Sequence, residues 1–132
     1  PVTWKSQLQT EICLSTTESE YTGLSCTLRE VIPMMQLLKE FKEMGFDVGD
    51  TSPRVHCKVF EDNSGALEIA KNHKYRPRTK HLNVKLHHFR DYVVKGFISI
   101  HKIDTKEQLA DYLTKALNKD TLVYLRKKTI GW

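Results

Sequence analysis

The feature that most constrains the fold is a run of apolar residues spaced three and four positions apart. This period matches one face of an α-helix, so the sequence predicts a long helix with a buried apolar side. Thr16 or Thr17 can cap its start, and Gly45 should end it. Pro33 should kink the helix or split it in two. The apolar positions are Tyr21, Leu24, Leu28, Val31, Met35, Leu38 and Phe41.

Three segments alternate between apolar and polar residues, as half-buried β-strands do. They cover residues 8–14, 55–60 and 97–103. Strands and helices that alternate along a chain of 132 residues predict one α/β domain, residues 1–132. Helical spacing predicts the remaining helices at 66–70, 82–96, 105–117 and 120–128.

Basic residues are concentrated in one stretch. From Lys71 to Arg90 the chain carries seven Lys or Arg residues and no acid, whereas the whole chain has 21 basic and 16 acidic residues. Four histidines are interleaved with them. A patch of this kind predicts a polyanion partner, usually nucleic acid. The alternative is a solvated surface with no partner.

The cysteines and the hydropathy pattern exclude several classes of protein. Cys13, Cys26 and Cys57 are widely spaced and lie within apolar patterns, which predicts reduced core thiols in an intracellular protein. No Cys-x-x-Cys pair or His-Glu-x-x-His motif occurs, so no zinc site is expected. The absence of a signal peptide and of a long apolar run predicts a soluble chain without a membrane partner.

Acids in separate local settings are candidates for chemistry. Asp62 follows the predicted strand 55–60, the position where open α/β sheets carry functional groups. Glu18 and Glu20 lie near the start of the long helix, and Asp111 lies inside a predicted helix. Each has an ordinary alternative, as a helix cap, a first-turn acid or a surface residue. Carboxylates from three elements could instead converge on magnesium ions, which prefer oxygen ligands.

Four motifs follow one another along the chain. They are residues 14–21 (LSTTESEY), 61–66 (EDNSGA), 78–82 (RTKHL) and 108–115 (QLADYLTK). Their types and order resemble the ribonuclease H domain at the C-terminus of the polyproteins of copia-type LTR retrotransposons. The resemblance extends over nearly the whole chain.

The resemblance implies a ribonuclease H-like fold, with a mixed sheet and flanking helices. It also implies hydrolysis of the RNA strand of an RNA–DNA hybrid with bound Mg²⁺ or Mn²⁺, in the cytoplasm or in virus-like particles. Glu20, Asp62 and Asp111 match the catalytic, metal-binding carboxylates, and Glu20 matches better than Glu18. The residues implied to face nucleic acid are Asn63, Lys74, Arg76, Arg78, Lys80 and His81.

The chain departs from the family at its N-terminus. A first strand with a further catalytic Asp precedes the Trp-Lys-Ser run in the family, whereas only residues 1–3 precede Trp4 here. We therefore expect a sheet that lacks its first two strands, weak metal binding and little activity in this fragment. Open sheet edges are expected to rearrange, or to pair with another copy or with a further polyprotein segment.

Two further functions remain open from the sequence. One is a non-catalytic nucleic-acid-binding or assembly module derived from a retrotransposon, whose affinity falls steeply with salt. The other is an interaction module that holds a partner with its apolar helix and open sheet edges.

Overall fold

The computed structural model describes residues 1, 3–10, 12–49, 54–71 and 87–132. Within these ranges the chain is a mixed α/β structure with a small parallel sheet and several helices. A 3₁₀ turn, Thr105–Glu107, precedes the last two helices. In chain order the regular elements are α1 (Thr16–Glu43), β1 (Cys57–Glu61), α2 (Ser64–Lys71), α3 (Arg90–Val94), β2 (Ile98–Lys102), α4 (Asp111–Thr114) and α5 (Lys119–Ile130).

Helix α1 starts at Thr16, earlier than its sequence suggests. Ser15, rather than Thr16 or Thr17, is the N-cap, and its side chain accepts the backbone N–H of Glu18 at 3.2 Å. The Glu18 carboxylate accepts the backbone N–H of Leu14 at 2.9 Å. Both bonds satisfy amide groups that have no partner inside the helix, so they hold the chain at the entry to α1.

Pro33 does not split α1, because the helix continues through it to Glu43. Pro33 and Arg29 are both exposed, so water can reach the carbonyl that loses its usual donor. Gly45 ends the helix as predicted, with a φ of 87°. Phe46 N–H bonds to Phe41 O at 3.0 Å, and the two rings pack edge to face, the hydrogen-bond and apolar pattern of a Schellman cap.

The described part of the sheet consists of β1 and β2, which run parallel with Cys57 opposite Ile98. These strands confirm the segments predicted at 55–60 and 97–103. In β1, Cys57, Val59 and Glu61 face inwards, whereas Lys58 and Phe60 are exposed. Helix α2 packs between this sheet and α1, and it confirms the short helix predicted at 66–70.

One core joins these elements. The apolar face of α1 is buried as far as Met35, but Leu38 and Phe41 remain 42% and 40% exposed, so its predicted burial is wrong beyond Met35. Only the first five turns of α1 therefore rest on the sheet and α2. The buried core residues are Tyr21, Leu24, Leu28, Ile32, Met35, Ala66, Ala70, Phe89, Ile98 and Ile100.

The strand predicted at 8–14 is wrong for the residues described there, 8–10 and 12–14, which belong to no strand. Leu8 and Ile12 are 91% and 96% exposed. A strand needs a neighbouring ladder for its backbone groups, and this stretch instead makes side-chain bonds to α1. Gln9 donates to Ser19 O at 2.8 Å and accepts from the Ser19 hydroxyl at 3.0 Å.

The single helix predicted at 105–117 is also wrong. Asp104 caps a short 3₁₀ turn through the backbone N–H of Lys106, and Gln108 then turns to an extended conformation with ψ of 103°. The Gln108 side chain donates to Phe60 O at 3.4 Å. This contact with the sheet competes with local helix propensity, so α4 starts only at Asp111.

The remaining predictions are confirmed in part. Helix α5 matches the one predicted at 120–128, with Asn118 as its N-cap. Helix α3 falls within the helix predicted at 82–96, whose first part lies outside the described residues. None of the described helices has the length and apolar character that a bilayer-spanning helix requires.

Candidate metal centre

Glu20 lies in the second turn of α1, where the helix enters the core. The next residue, Tyr21, is fully buried and packs against Phe89. Its hydroxyl bonds to His87 Nδ1 at 2.5 Å. Burial and the charge of Arg90 lower the pKa of His87, which favours the neutral ring that this bond needs. These contacts fix the rotation of α1 and place the half-buried Glu20 towards the end of β1.

The end of β1 supplies two acids in succession. Glu61 is the last residue of the strand and is only 5% exposed, whereas Asp62 begins the loop and is partly exposed. One Glu61 carboxylate oxygen accepts the backbone N–H of Asn63 at 2.9 Å. Asn63 in turn caps α2, because its side-chain oxygen accepts the backbone N–H of Ala66 at 3.0 Å. The loop is therefore held at both of its ends.

A glycine lets this loop approach α1. A Cβ atom at Gly65 would lie 2.8 Å from Thr17 Oγ1 and 2.9 Å from Thr17 Cγ2, which is closer than such atoms pack. Thr17 Oγ1 also lies 3.4 Å from Asn63 Oδ1. The start of α2 thus sits directly against the first turn of α1, and the acids just before α2 lie near Glu20.

Glu20, Glu61 and Asp62 form one carboxylate cluster. Each offers an oxygen, and these oxygens all lie within 4.8 Å of one another. Among the described residues this is the group whose spacing suits a metal ion. Carboxylate oxygens are hard ligands of the kind that Mg²⁺ and Mn²⁺ prefer. We call these three residues the carboxylate cluster.

Burial and mutual repulsion raise the pKa values of two acids in the carboxylate cluster. Burial raises the pKa of Glu61 from 4.5 to about 7; the Asn63 N–H opposes this shift, and the charges of Glu20 and Asp62 add to it. Burial also raises the pKa of Glu20, and the charges of Asp62 and Asp111 contribute further. Crowded, partly buried carboxylates therefore hold protons more tightly in the absence of a cation.

Asp111 lies beside the carboxylate cluster but outside the group that falls within 4.8 Å. It is the first residue of α4 and is buried. The charge of Asp111 nevertheless raises the pKa of Glu20, so the two carboxylates are electrostatically coupled. Lys115 Nζ lies 3.0 Å from Asp111 Oδ1 and lowers the pKa of both Glu20 and Glu61.

The carboxylate cluster, Asp111 and Lys115 line one open cleft of about 610 Å³. One wall is α1, and another is the N-terminal stretch that contains Lys5 and Gln9. Ser6 donates to Leu113 O at 3.0 Å, which links this stretch to α4. The volume of this cleft lies within the range of ligand-binding sites in proteins.

The predicted nucleic-acid residues have different positions. Asn63 caps α2 beside the carboxylate cluster. Arg90, the last member of the predicted basic stretch, is partly buried and donates to Ile69 O at 3.2 Å, so it supports the fold. The others, Lys74, Arg76, Arg78, Lys80 and His81, lie outside the described residues.

Sequence reasoning missed Glu61 and Lys115 as members of this centre. The signal for Glu61 was available, because Cys57 and Val59 face inwards and a strand repeats every two residues. The signal for Lys115 was its spacing of four from Asp111, which favours an ion pair on a helix. Neither pattern indicates that Glu61 or Lys115 lies near Glu20.

Known proteins similar to this chain are described as retrovirus-related Pol polyproteins. The chain is 34% identical, over 98% of its length, to the retrovirus-related Pol polyprotein from transposon TNT 1-94 of Nicotiana tabacum. Its homologues are Pol polyproteins of plant transposons. It is also 32% identical, over 90% of its length, to the retrovirus-related Pol polyproteins from transposons RE2 and RE1 of Arabidopsis thaliana.

The chain spans a small part of these Pol polyproteins, 9% of the first and 8% of the other two. No protein-family model matches it, and no solved structure does so either. The relatives therefore identify a region of a retroelement polyprotein, and the chemistry of that region has to be argued from the carboxylate cluster.

Proposed function

We propose that this chain is the ribonuclease H-type nuclease region of a retroelement Pol polyprotein. Its reaction would be the metal-dependent hydrolysis of RNA in an RNA–DNA hybrid. The observation that carries the proposal is the meeting of Glu20, from α1, with the consecutive acids Glu61 and Asp62 at the end of β1, all within 4.8 Å. The homology to retrovirus-related Pol polyproteins supports it, because reverse-transcribing elements have to degrade such hybrids.

The donor set fits Mg²⁺ or Mn²⁺ rather than a softer metal. The carboxylate cluster contains only oxygen donors, and Asp111 adds another carboxylate in the same cleft. Phosphoryl-transfer sites use such carboxylates to hold ions that activate water and stabilise the leaving oxygen. Burial and the charges of Glu20 and Asp62 raise the pKa of Glu61, and a divalent ion beside it would favour the ionised form.

Each acid has a distinct part in this proposal. Glu20 and Asp62 are partly exposed to the cleft and are the metal ligands closest to substrate. Glu61 is buried behind them, with one oxygen held by Asn63, and it contributes charge and orientation. Asp111 would complete the metal-binding set from α4, where Lys115 now holds it.

The substrate class follows from charge. The chain has a net charge of +5, and its basic residues are concentrated between Lys71 and Arg90. Basic side chains would hold phosphates, while bound ions would offset the negative charge of the acids. Charge favours a polyanion, and the proposed ribonuclease H reaction narrows that partner to an RNA–DNA hybrid.

Cleavage of a labelled RNA–DNA hybrid tests this proposal. The purified chain is incubated with the hybrid and Mn²⁺ or Mg²⁺, beside Asp62→Asn and Glu20→Gln. Asp120→Asn is the matched control, because Asp120 is an exposed acid in the first turn of α5. We expect weak, metal-dependent cleavage that both cluster variants abolish and the control retains.

Salt-dependent binding in the same assay distinguishes a non-catalytic nucleic-acid-binding module from the proposed nuclease. Hybrid binding that weakens with salt, with no cleavage under either metal, would favour the non-catalytic nucleic-acid-binding module. Cleavage that survives in both Asp62→Asn and Glu20→Gln would contradict the assignment of the carboxylate cluster as the active centre.

A further inference from the structure

Lys115 is placed as a cation among the acids of the cleft. It directly follows α4, and its backbone N–H bonds to Asp111 O at 2.8 Å. Its Nζ lies 3.0 Å from Asp111 Oδ1. The Asp111 side chain is 9% exposed, whereas that of Lys115 is 45% exposed. One partner of this ion pair is therefore fixed, and the other has room to move.

The charge of Lys115 reaches beyond its ion pair. The hydrogen bond that Lys115 donates to Asp111 raises the pKa of Lys115, and the charges of Asp62 and Glu20 raise it further. In return, Lys115 lowers the pKa of Glu20 and of Glu61. Asp111, Asp62 and Glu20 thus all favour the charged form of this ammonium group.

We propose that Lys115 is a displaceable counter-cation that competes with the divalent metal for the acids of the cleft. This inference rests on the proposed metal site. Without metal, the ammonium group offsets the repulsion between Asp111 and the carboxylate cluster. When a divalent ion binds, it takes the place of the ammonium group beside Asp111, and Lys115 moves out on its flexible side chain. The released ammonium group is then available to contact a substrate phosphate.

Competition and a purely structural role predict opposite changes in metal affinity when Lys115 is removed. If Lys115 only braces α4, its removal should loosen Asp111 and weaken metal binding. If Lys115 competes with the metal, its removal should strengthen metal binding. Coulomb attraction between groups about 4 Å apart near a protein surface is large enough for a change of about three- to tenfold in Kd.

The test is a Mn²⁺ titration without substrate, followed by calorimetry or by the electron paramagnetic resonance signal of unbound Mn²⁺. Lys115→Met removes the charge and keeps most of the side-chain volume, and Lys115→Gln is a second variant should Lys115→Met fold poorly. Lys115→Arg keeps the charge. Lys39→Met is the control for net charge, because Lys39 pairs with Glu43 at the same spacing on an exposed part of α1.

We expect Lys115→Met and Lys115→Gln to bind Mn²⁺ about three- to tenfold more tightly at low salt. Lys115→Arg and Lys39→Met should match the unmodified chain. An unchanged or weaker affinity in the charge-removing variants overturns the role of Lys115 while leaving the metal site intact. If no protein binds Mn²⁺, the proposed function fails, and this inference fails with it.

Discussion

Glu61 accepts the backbone N–H of Asn63 at 2.9 Å, and this bond fastens a buried carboxylate to the loop that carries Asp62. Asn63 also caps α2, so the strand end, the loop and the helix start form one continuous hydrogen-bonded unit. An acid on that unit has little freedom to move away from Glu20. The carboxylate cluster is therefore held in place by the fold and does not depend on a metal to bring it together.

Stability should fall as the pH rises through the pKa of Glu61. The folded-state pKa is about 7, against an ordinary value of 4.5, so between these values the folded chain keeps a proton that the unfolded chain has lost. The stabilisation from this proton is complete below 4.5 and is lost by about 7. Its size is about 3 kcal/mol from the shift in pKa.

Urea unfolding of the unmodified chain and of Glu61→Gln isolates this effect. Glutamine can still accept the Asn63 N–H but carries no charge, so its stability advantage over glutamate should grow as the pH rises from 4.5 to above 7. Glu40→Gln, on the exposed side of α1, is the control. A stability difference that stays constant with pH would show that Glu61 does not titrate in this range.

Metal binding should release protons when the pH is below the pKa of Glu61. A divalent ion beside the carboxylate cluster favours the ionised acid, so binding at a pH under about 7 displaces a proton. Mn²⁺ affinity should therefore increase as the pH rises towards neutrality. Calorimetry in two buffers of different ionisation enthalpy counts the released protons. The count should fall towards zero in Glu61→Gln, and an unchanged count would point to another group.

Gly65→Ala should separate α2 from α1. The added Cβ would meet Oγ1 and Cγ2 of Thr17 at less than 3 Å, so this β-branched side chain and the two elements have to shift apart. The expected cost is about 1–3 kcal/mol of unfolding free energy, with weaker Mn²⁺ binding because the carboxylate cluster spreads. Thermal or urea unfolding and a Mn²⁺ titration measure the two effects.

Gly23→Ala is the matched control for that change. A Cβ at Gly23 would lie 3.7 Å from Gln9 Nε2, an ordinary contact, and the residue is inside α1. Alanine has the higher helix propensity, so we expect Gly23→Ala to stabilise the chain by about 0.5–1 kcal/mol. Equal effects of the two substitutions would contradict the close approach at Gly65.

Tyr21→Phe should lower the free energy of unfolding by more than the same change at an exposed tyrosine does. The Tyr21 hydroxyl is buried and bonds to His87 Nδ1, so its removal leaves the ring nitrogen without this partner, at a cost of about 1–2 kcal/mol. The Tyr124 hydroxyl donates to Glu107 at 2.6 Å but is exposed to water, and Tyr124→Phe should change stability by less than about 0.5 kcal/mol. Urea unfolding compares the two, and equal losses would rule out a special role for the buried bond.

Local patterns predicted the elements whose own residues determine them. The apolar period around Leu24 and Leu28 predicted α1, and the alternation around Val59 predicted β1. The segments at 8–14 and 105–117 had comparable patterns but depend on distant contacts. Residues 8–10 and 12–14 bond to α1 in place of a neighbouring strand, and Gln108 bonds to the sheet. A sequence pattern does not contain those partners.

The candidate site, like the fold, was predictable only where local sequence determines it. The position of Asp62 after a strand and of Glu18 and Glu20 in early helical turns made them candidate ligands, and the family resemblance selected Glu20 over Glu18. Glu61 and Lys115 became candidates only when the fold placed them beside Glu20. Their pKa values depend on burial and on charges from three separate elements, which a linear sequence does not provide.

Mn²⁺-induced broadening of backbone amide signals in nuclear magnetic resonance tests the central claim most directly. At substoichiometric Mn²⁺, we expect the amides of Glu20, Glu61 and Asp62 to broaden first and together, because their carboxylates share one centre. The same titration of Asp62→Asn should require several-fold more Mn²⁺. Broadening that starts elsewhere, or that affects Glu20 and Asp62 at clearly different Mn²⁺ concentrations, would contradict a common metal site.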